Sequence, residues 1–247
     1  MAAAEPDRGT PEKRGRLSRP LVLAAAVSLV DREGLGALTM RRLAADLGVE
    51  SMAIYRYTPG KEALLDGLVE AYFAEVITQL RSSAEATAAA GGGRAWRAEL
   101  RRIAGAFASV AHVHPEILPL VATRPLSVPM ARRPAPVLQL TEHLLAVLGR
   151  AGFDHATSLM IYRRFVAWNL GCLLVDKRQV IDDPDEPDPM LRLGLHRLPA
   201  DRYPRLRALV PLLADYDDQE ELLAGLDSLL SRMPDAPLDS FYDGRAR

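Results

Sequence analysis

A chain of 247 residues can form one large domain or two smaller ones, and 49% hydrophobic residues supply a substantial core. A single cysteine excludes an internal disulfide and any multi-cysteine zinc site. No apolar run is long enough to span a bilayer and the N-terminus lacks a signal peptide's apolar segment, so a cytoplasmic protein with no membrane partner is expected. The net charge of −1 hides an asymmetry. Residues 1–61 carry 10 Lys/Arg against 7 Asp/Glu, whereas residues 62–247 carry 21 against 25. Surplus positive charge on the N-terminal part suits a polyanion, although a difference this small does not establish DNA binding alone.

Residues 1–17 show little periodicity and several helix breakers, and read as a disordered N-terminal arm. Lys13, Arg14 and Arg16 could touch phosphate or a minor groove, or belong to an ordinary solvated tail. A first helix is predicted from Ser18, as N-cap, to about Glu33, with Leu23, Val27 and Val30 inward and Gly34 as its stop. Thr39 is a good N-cap for a second helix over about 40–47, whose apolar face is Leu43, Ala44 and Leu47. Gly48 falls where the chain reverses. A third helix over about 51–57 takes Val49 and Ile54 as inward anchors, which turns Ser51, Met52, Ala53, Tyr55 and Tyr57 outward. Two short helices around a glycine turn are helix-turn-helix grammar, in which the second helix enters a major groove. Helix four begins either at Gly60, with Lys61 in its first turn, or at Thr58 with Pro59 first in the helix. Ala63, Leu64, Leu65, Leu68 and Tyr72 share one of its faces.

Farther on, Gly91-Gly-Gly93 marks a loop, and helices are predicted over about 95–112, 134–150, 154–178, 203–215 and 217–233. Asp154 caps the long helix, whose inward series reads Leu159, Tyr162, Val166, Leu170 and Leu173, with Phe165, Trp168 and Asn169 alongside. The last helix carries Leu222, Leu223, Leu226, Leu229 and Leu230, a face wide enough to pack a partner. The remainder, 234–247, is a C-terminal tail. Enzyme chemistry finds no support. His112 and His114 lack a matching carboxylate, the acidic run 182–188 lacks calcium-loop spacing, and Cys172 sits on an apolar helix, so no cofactor or metal is expected.

The register of Gly34, Leu35, Leu38, Thr39, Leu43, Ala44, Leu47, Gly48, Val49, Ile54, Tyr55, Lys61, Ala63, Leu64 and Leu65 resembles the DNA-binding domain of the TetR family. Val121-Ala-Thr-Arg-Pro125, Gly152-Phe153, Leu170-Gly-Cys172 and Asp176 resemble the effector domain of the tetracycline repressor's own branch. The resemblance implies an all-α protein: a three-helix helix-turn-helix DNA-binding domain over 18–62, then a larger helical effector-binding and dimerisation domain over 63–233. It implies a homodimer on a pseudo-palindromic double-stranded operator, most simply a repressor released by a small apolar effector. A ligand-independent architectural DNA binder or an activator is the alternative.

By family position, Thr39 and Lys61 would hold phosphates, and Arg41 would lie near base edges or the backbone. Ser51, Met52 and Ala53 would open the recognition helix. Tyr55 would donate to phosphate or pack against the neighbouring helix, and Tyr57 replaces a frequent histidine near the backbone or a base. Arg56 stands where a large aromatic is common, and Thr58 replaces an apolar residue. For the effector, Phe107, Thr123, Arg124, Trp168 and Asn169 are candidates. Phe107 could equally be a core aromatic, and Arg124 could instead pin the adjacent loop. Leu120 occupies the position of a metal-coordinating histidine and Val175 that of an acidic residue, which disfavours a magnesium–tetracycline effector. In the family the helices bearing Leu159, Tyr162 and Val166, and Leu222, Leu226 and Leu229, pair across a dimer; burial of both sets within one chain is the other possibility.

Overall fold

Ser18 starts the first helix by accepting a hydrogen bond from the Leu21 amide at 3.4 Å, and Gly34 ends it. The structure, a computed structural model, describes residues 17–87, 95–177, 185–210, 212 and 218–233. The expected basic arm over 1–16, the glycine loop at 91–93, the acidic stretch over 182–184 and the tail over 234–247 lie outside the described residues. Every regular element among the described residues is helical. The chain divides into two compact units, Met1–Leu64 and Leu65–Arg247.

In the first unit α1 (Arg19–Glu33) packs on α2 (Met40–Leu47), and α2 packs on α3 (Ser51–Tyr55). Thr39 caps α2 by accepting from the Arg42 amide at 3.1 Å. Gly48 ends α2 in the left-handed region (φ 65°, ψ 36°), a conformation costly to any residue with a Cβ, and its amide reaches back to the last carbonyls of the helix. Val22, Ala26, Leu29, Val30, Leu43 and Ile54 make the core of this unit. The inward stripe of α1 is therefore wider than Leu23, Val27 and Val30 alone, with Val27 only half-buried. α3 stops at Tyr55, two residues sooner than expected, because the Tyr57 and Thr58 amides both turn back onto the Ile54 carbonyl. Thr58 is buried, and its hydroxyl donates to that same carbonyl, so a polar residue is accommodated where an apolar one is usual. Gly60, not Thr58, precedes α4 (Lys61–Thr87).

The second unit is helix packed on helix. α5 (Ala95–Val113) lies against α7 (Ala135–Arg150) and α8 (His155–Lys177), and α6 (Leu118–Thr123) against α8. Short α9 (Pro189–Arg192) and α10 (Pro204–Ala208) precede α11 (Asp218–Ser231), which packs on α5 and α8. α6 is absent from the sequence reading; its Pro119 is tolerated because it falls in the first turn, where a missing amide has no partner to lose. Of the helix expected over 203–215, α10 forms, Val210 and Leu212 are also helical, and 211 and 213–217 lie outside the described residues. Asp154 caps α8 as expected, its carboxylate accepting from the Thr157 amide at 2.6 Å.

Charged side chains stitch these helices together. Arg97 on α5 donates to the Leu230 and Met233 carbonyls, tying α5 to the end of α11 and the turn that follows it. Glu99 on α5 receives Arg102 and His143 of α7. Burial pulls the Glu99 carboxyl upward, but the hydrogen bonds from Arg102 and His143 outweigh it and hold its pKa below the ordinary value.

The register of α8 differs from the expectation. Its buried residues are Ser158, Ile161, Phe165, Asn169 and Leu173, so only Leu173 of the expected inward series is fully inside, and Leu159 is 48% exposed. The helix is apolar on more than one side, and periodicity alone could not choose among those sides. Trp168 packs instead on α11. A Cβ placed on Gly225 would come within 2.5 Å of the Trp168 ring, so α11 can approach α8 this closely only because that position is glycine. Gly225→Ala should therefore destabilise the protein by about 1–3 kcal/mol despite alanine's better helix propensity. Thermal denaturation of the two proteins would check it, an unchanged or raised midpoint counting against this packing.

A candidate DNA-binding surface and effector cavity

The DNA-facing candidates lie on α2 and its cap, on α3 and the turn after it, and at the start of α4. Ile54 is fully buried, and as the inward anchor of a five-residue helix it fixes which side of α3 faces solvent. Met52 is 72% exposed and Tyr55 44%, while Ser51, Ala53 and Tyr57 are half-buried. Tyr55 is thus not packed away in the core. Thr39 is exposed; its hydroxyl oxygen caps α2 and its proton stays available to donate.

Cations in this unit separate into two groups. Arg32 makes a two-pronged pair with Asp46 at 3.0 Å and also donates to Ser28, joining α1 to α2. Arg42 is paired with Glu33. Those two arginines tie the unit together. Arg41, Arg56 and Lys61 are exposed. Arg56 was read from the sequence as a departure in packing, yet its exposure adds a cation beside the recognition helix.

The second unit contains a cavity of about 90 Å³ between α4, α5, α6, α7 and α8. Phe73 and Phe107 meet edge to face in its wall, with ring centroids 5.5 Å apart. Tyr72 supports them from behind, its hydroxyl donating to the Phe107 carbonyl at 3.2 Å, and burial raises the pKa of that hydroxyl. Val137, Leu140, Leu144 and Phe165 extend the apolar lining. Four residues bring polar atoms to it: Arg133, Thr141, Tyr162 and Asn169. The segment after α6 closes one side through Pro125 and the 73% exposed Leu126.

Of the five effector candidates, Phe107 and Asn169 line this cavity. The other three do not. Thr123 turns its hydroxyl onto the Pro119 carbonyl at 2.7 Å. Arg124 points to α4, where it pairs with Asp66 at 2.7 Å, which is the loop-pinning role weighed for it above. Trp168 is held against Gly225. Sequence reasoning missed Arg133, Thr141 and Phe73, because no fixed spacing connects them and only the packing of α4 against α7 and the turn before α7 brings them together.

The dimerisation candidates lie in different surroundings. Leu222 and Leu226 are 2% and 0% exposed within a single chain, and so serve its own core. Tyr162 and Val166 line the cavity, and Leu229 is half-buried. Leu159 remains outward. His112 and His114, considered as a metal pair, diverge: His112 is exposed, whereas His114 is buried with Nε2 3.0 Å from Glu75. No helix among the described residues is long and apolar enough to cross a membrane.

Comparison with known proteins agrees with this arrangement. Residues 22–68 match the model of "Bacterial regulatory proteins, tetR family". The chain is 38% identical to the HTH-type transcriptional repressor DrrR1 of Streptomyces coeruleorubidus, over 51% of this chain and 44% of that one, so it spans less than half the length of that relative. It is 30% identical to the tetracycline repressor protein class E of Escherichia coli, over 66% of this chain and 70% of that one. Among solved structures, the TetR regulator SCO7222 of Streptomyces coelicolor superposes with a TM-score of 0.63 at 27% identity, covering 87% of this chain and 97% of that one. A helix-turn-helix corner, an all-helical body and these likenesses together place the chain in the TetR family of bacterial transcriptional regulators.

Proposed function

We propose that two copies of this chain bind a pseudo-palindromic operator in the cytoplasm and repress transcription, and that a small molecule in the second unit's cavity releases them. The observation that carries the DNA reading is α3, with Ile54 buried and Met52 and Tyr55 exposed on a short helix packed against α2. A helix so placed can present side chains to base edges in a major groove. Ser51, Met52 and Ala53 then read bases, Met52 and Ala53 by contact with thymine methyls. Tyr55, Tyr57, Thr39, Arg41 and Lys61 hold the backbone, with Arg41 able to reach a guanine.

Pairing of two chains is supported by an outward stripe on α8. Leu159, Arg163, Ala167, Gly171 and Val175 recur at every fourth position and are all exposed, Val175 by 74%. A Cβ on Gly171 would meet nothing within 4 Å in the single chain, so packing inside the chain does not explain a glycine in mid-helix. A second helix approaching closely would explain it. This stripe replaces Tyr162, Val166, Leu222 and Leu226 as the proposed interface.

Release follows from differential affinity. The cavity is smaller than the roughly 300–1,000 Å³ that drug-sized ligands occupy. A ligand of that size binds better to a conformation with its walls apart, and shifts the equilibrium by that preference alone. The wall includes Phe73 on α4, and α4 is the helix that begins at Lys61.

In selection from random duplexes followed by affinity measurement, Met52→Ala should relax preference at its contacted base pair by about 1–3 kcal/mol. Lys61→Ala should instead weaken all duplexes alike and reduce the salt slope by about 1. If both variants kept the parent's affinity and preference, α3 would not be the reading helix. Gly171→Arg should yield a monomer in sedimentation at concentrations where the parent is a dimer. Retention of the dimer would remove α8 from the interface.

A further inference from the structure

Among the polar groups around the cavity, two are satisfied by the fold and two are not. Thr141 Oγ1 donates to the Val137 carbonyl at 2.9 Å and lies 3.3 Å from the Tyr162 hydroxyl, which can donate to it in turn. Asn169 is 2% exposed, and its Oδ1 has no hydrogen-bond partner. Arg133 Nε is likewise buried and unpartnered. Native folds pair such groups almost without exception, so two orphans lining one cavity point to something outside the chain that completes them. Their chemistry is complementary. Asn169 Oδ1 is an acceptor and asks for a donor, whereas a guanidinium N–H asks for an acceptor and favours a negative one. The remaining wall is apolar and rich in rings, with Phe73 and Phe107 edge to face and Phe165 buried beside them.

Resting on the effector reading of this cavity, we propose that its ligand is an aromatic hydroxy acid or a close analogue. The ring system lies among Phe73, Phe107 and Phe165, a hydroxyl donates to Asn169, and a carboxylate or equivalent acceptor takes Arg133. This is more polar than the plain apolar effector that helical packing suggests. It also moves the cationic contact from Arg124, already held by Asp66, to Arg133.

The test is isothermal titration of the full chain, without DNA, with 4-hydroxy-, 6-hydroxy- and 7-hydroxy-2-naphthoate, which vary the spacing between the two groups without letting the hydroxyl bond to its own carboxylate. 2-Naphthoate and 2-naphthol, each lacking one group, are the controls. At least one hydroxynaphthoate should bind about tenfold or more tightly than 2-naphthol, the gain expected of a buried hydrogen bond to a charged group, and about two- to tenfold more tightly than 2-naphthoate, the gain expected of a neutral one. Arg133→Met should abolish the advantage of the carboxylate and leave 2-naphthol unaffected. Asn169→Leu should abolish the advantage of the hydroxyl and leave 2-naphthoate unaffected. Should Asn169→Leu fail to fold, Asn169→Ser supplies the same comparison through a shorter side chain that cannot reach the ligand. Hydroxynaphthoates that bind no better than the controls, no binding by any of the five, or variants that weaken all five equally would each overturn the proposal; in the first two cases water completes the two orphans. Adding the best binder to the protein–operator complex separates the two layers: binding without release would retain the ligand class and remove its role as effector.

Discussion

A five-residue helix has room for one inward anchor, and in α3 that anchor is Ile54. Because Ile54 is wholly buried, helical geometry decides which neighbours face out: Met52 and Tyr55 lie exposed on the solvent side, with Ser51 and Ala53 partly covered. α2 supplies the surface on which Ile54 rests, and α2 is in turn located by the Thr39 cap, the left-handed Gly48 and the Arg32–Asp46 pair. The exposed face of α3 is thus set from outside it, by a cap, a turn and an ion pair on α2. Ion pairs as exposed as Arg32–Asp46 contribute little stability, up to about 1 kcal/mol, so their value here lies in orienting α2 on α1.

The body reuses the same economy around a cavity. Edge-to-face packing of Phe73 and Phe107, backed by the Tyr72 hydroxyl on the Phe107 carbonyl, builds a firm wall from α4 and α5. The opposite side comes from α7 and α8, and the short turns after α6 close one edge. Arg124 anchors that edge to Asp66 on α4, which leaves Arg133 as the guanidinium bordering the cavity. Two arginines nine positions apart thereby take different places, one paired with α4 and one at the cavity wall.

Much of this was legible in the sequence where local rules operate. Ser18, Thr39 and Asp154 are caps with oxygens that can accept only at a helix start, and Gly34 and Gly48 stop helices through positive φ, so the starts of α1, α2 and α8 and the turn between α2 and α3 could be read residue by residue. The TetR resemblance rests on that same stretch. Legibility failed where a helix is apolar on several sides. α8 separates a cavity, a core and an outward stripe, and its periodicity offers no preferred face, so the sequence could not tell that Leu159 lies exposed while Leu222 and Leu226 of α11 are buried in the single chain. The cavity failed for another reason. Phe73, Arg133, Thr141 and Asn169 come from separate elements, and no spacing rule links residues that meet only after packing. Arg124 and Trp168 were attractive by position alone, and each turned out to have a partner inside the fold.

The central claim is that paired α3 helices read two half-sites about one helical turn apart, roughly 34–36 Å along the duplex. Binding of the full chain to its selected operator, compared with the same operator carrying about five extra base pairs at its centre, measures this most directly. The half-turn insertion puts the half-sites on opposite faces of the duplex, so affinity should fall to the level of an isolated half-site. Undiminished affinity for the lengthened operator would contradict the account.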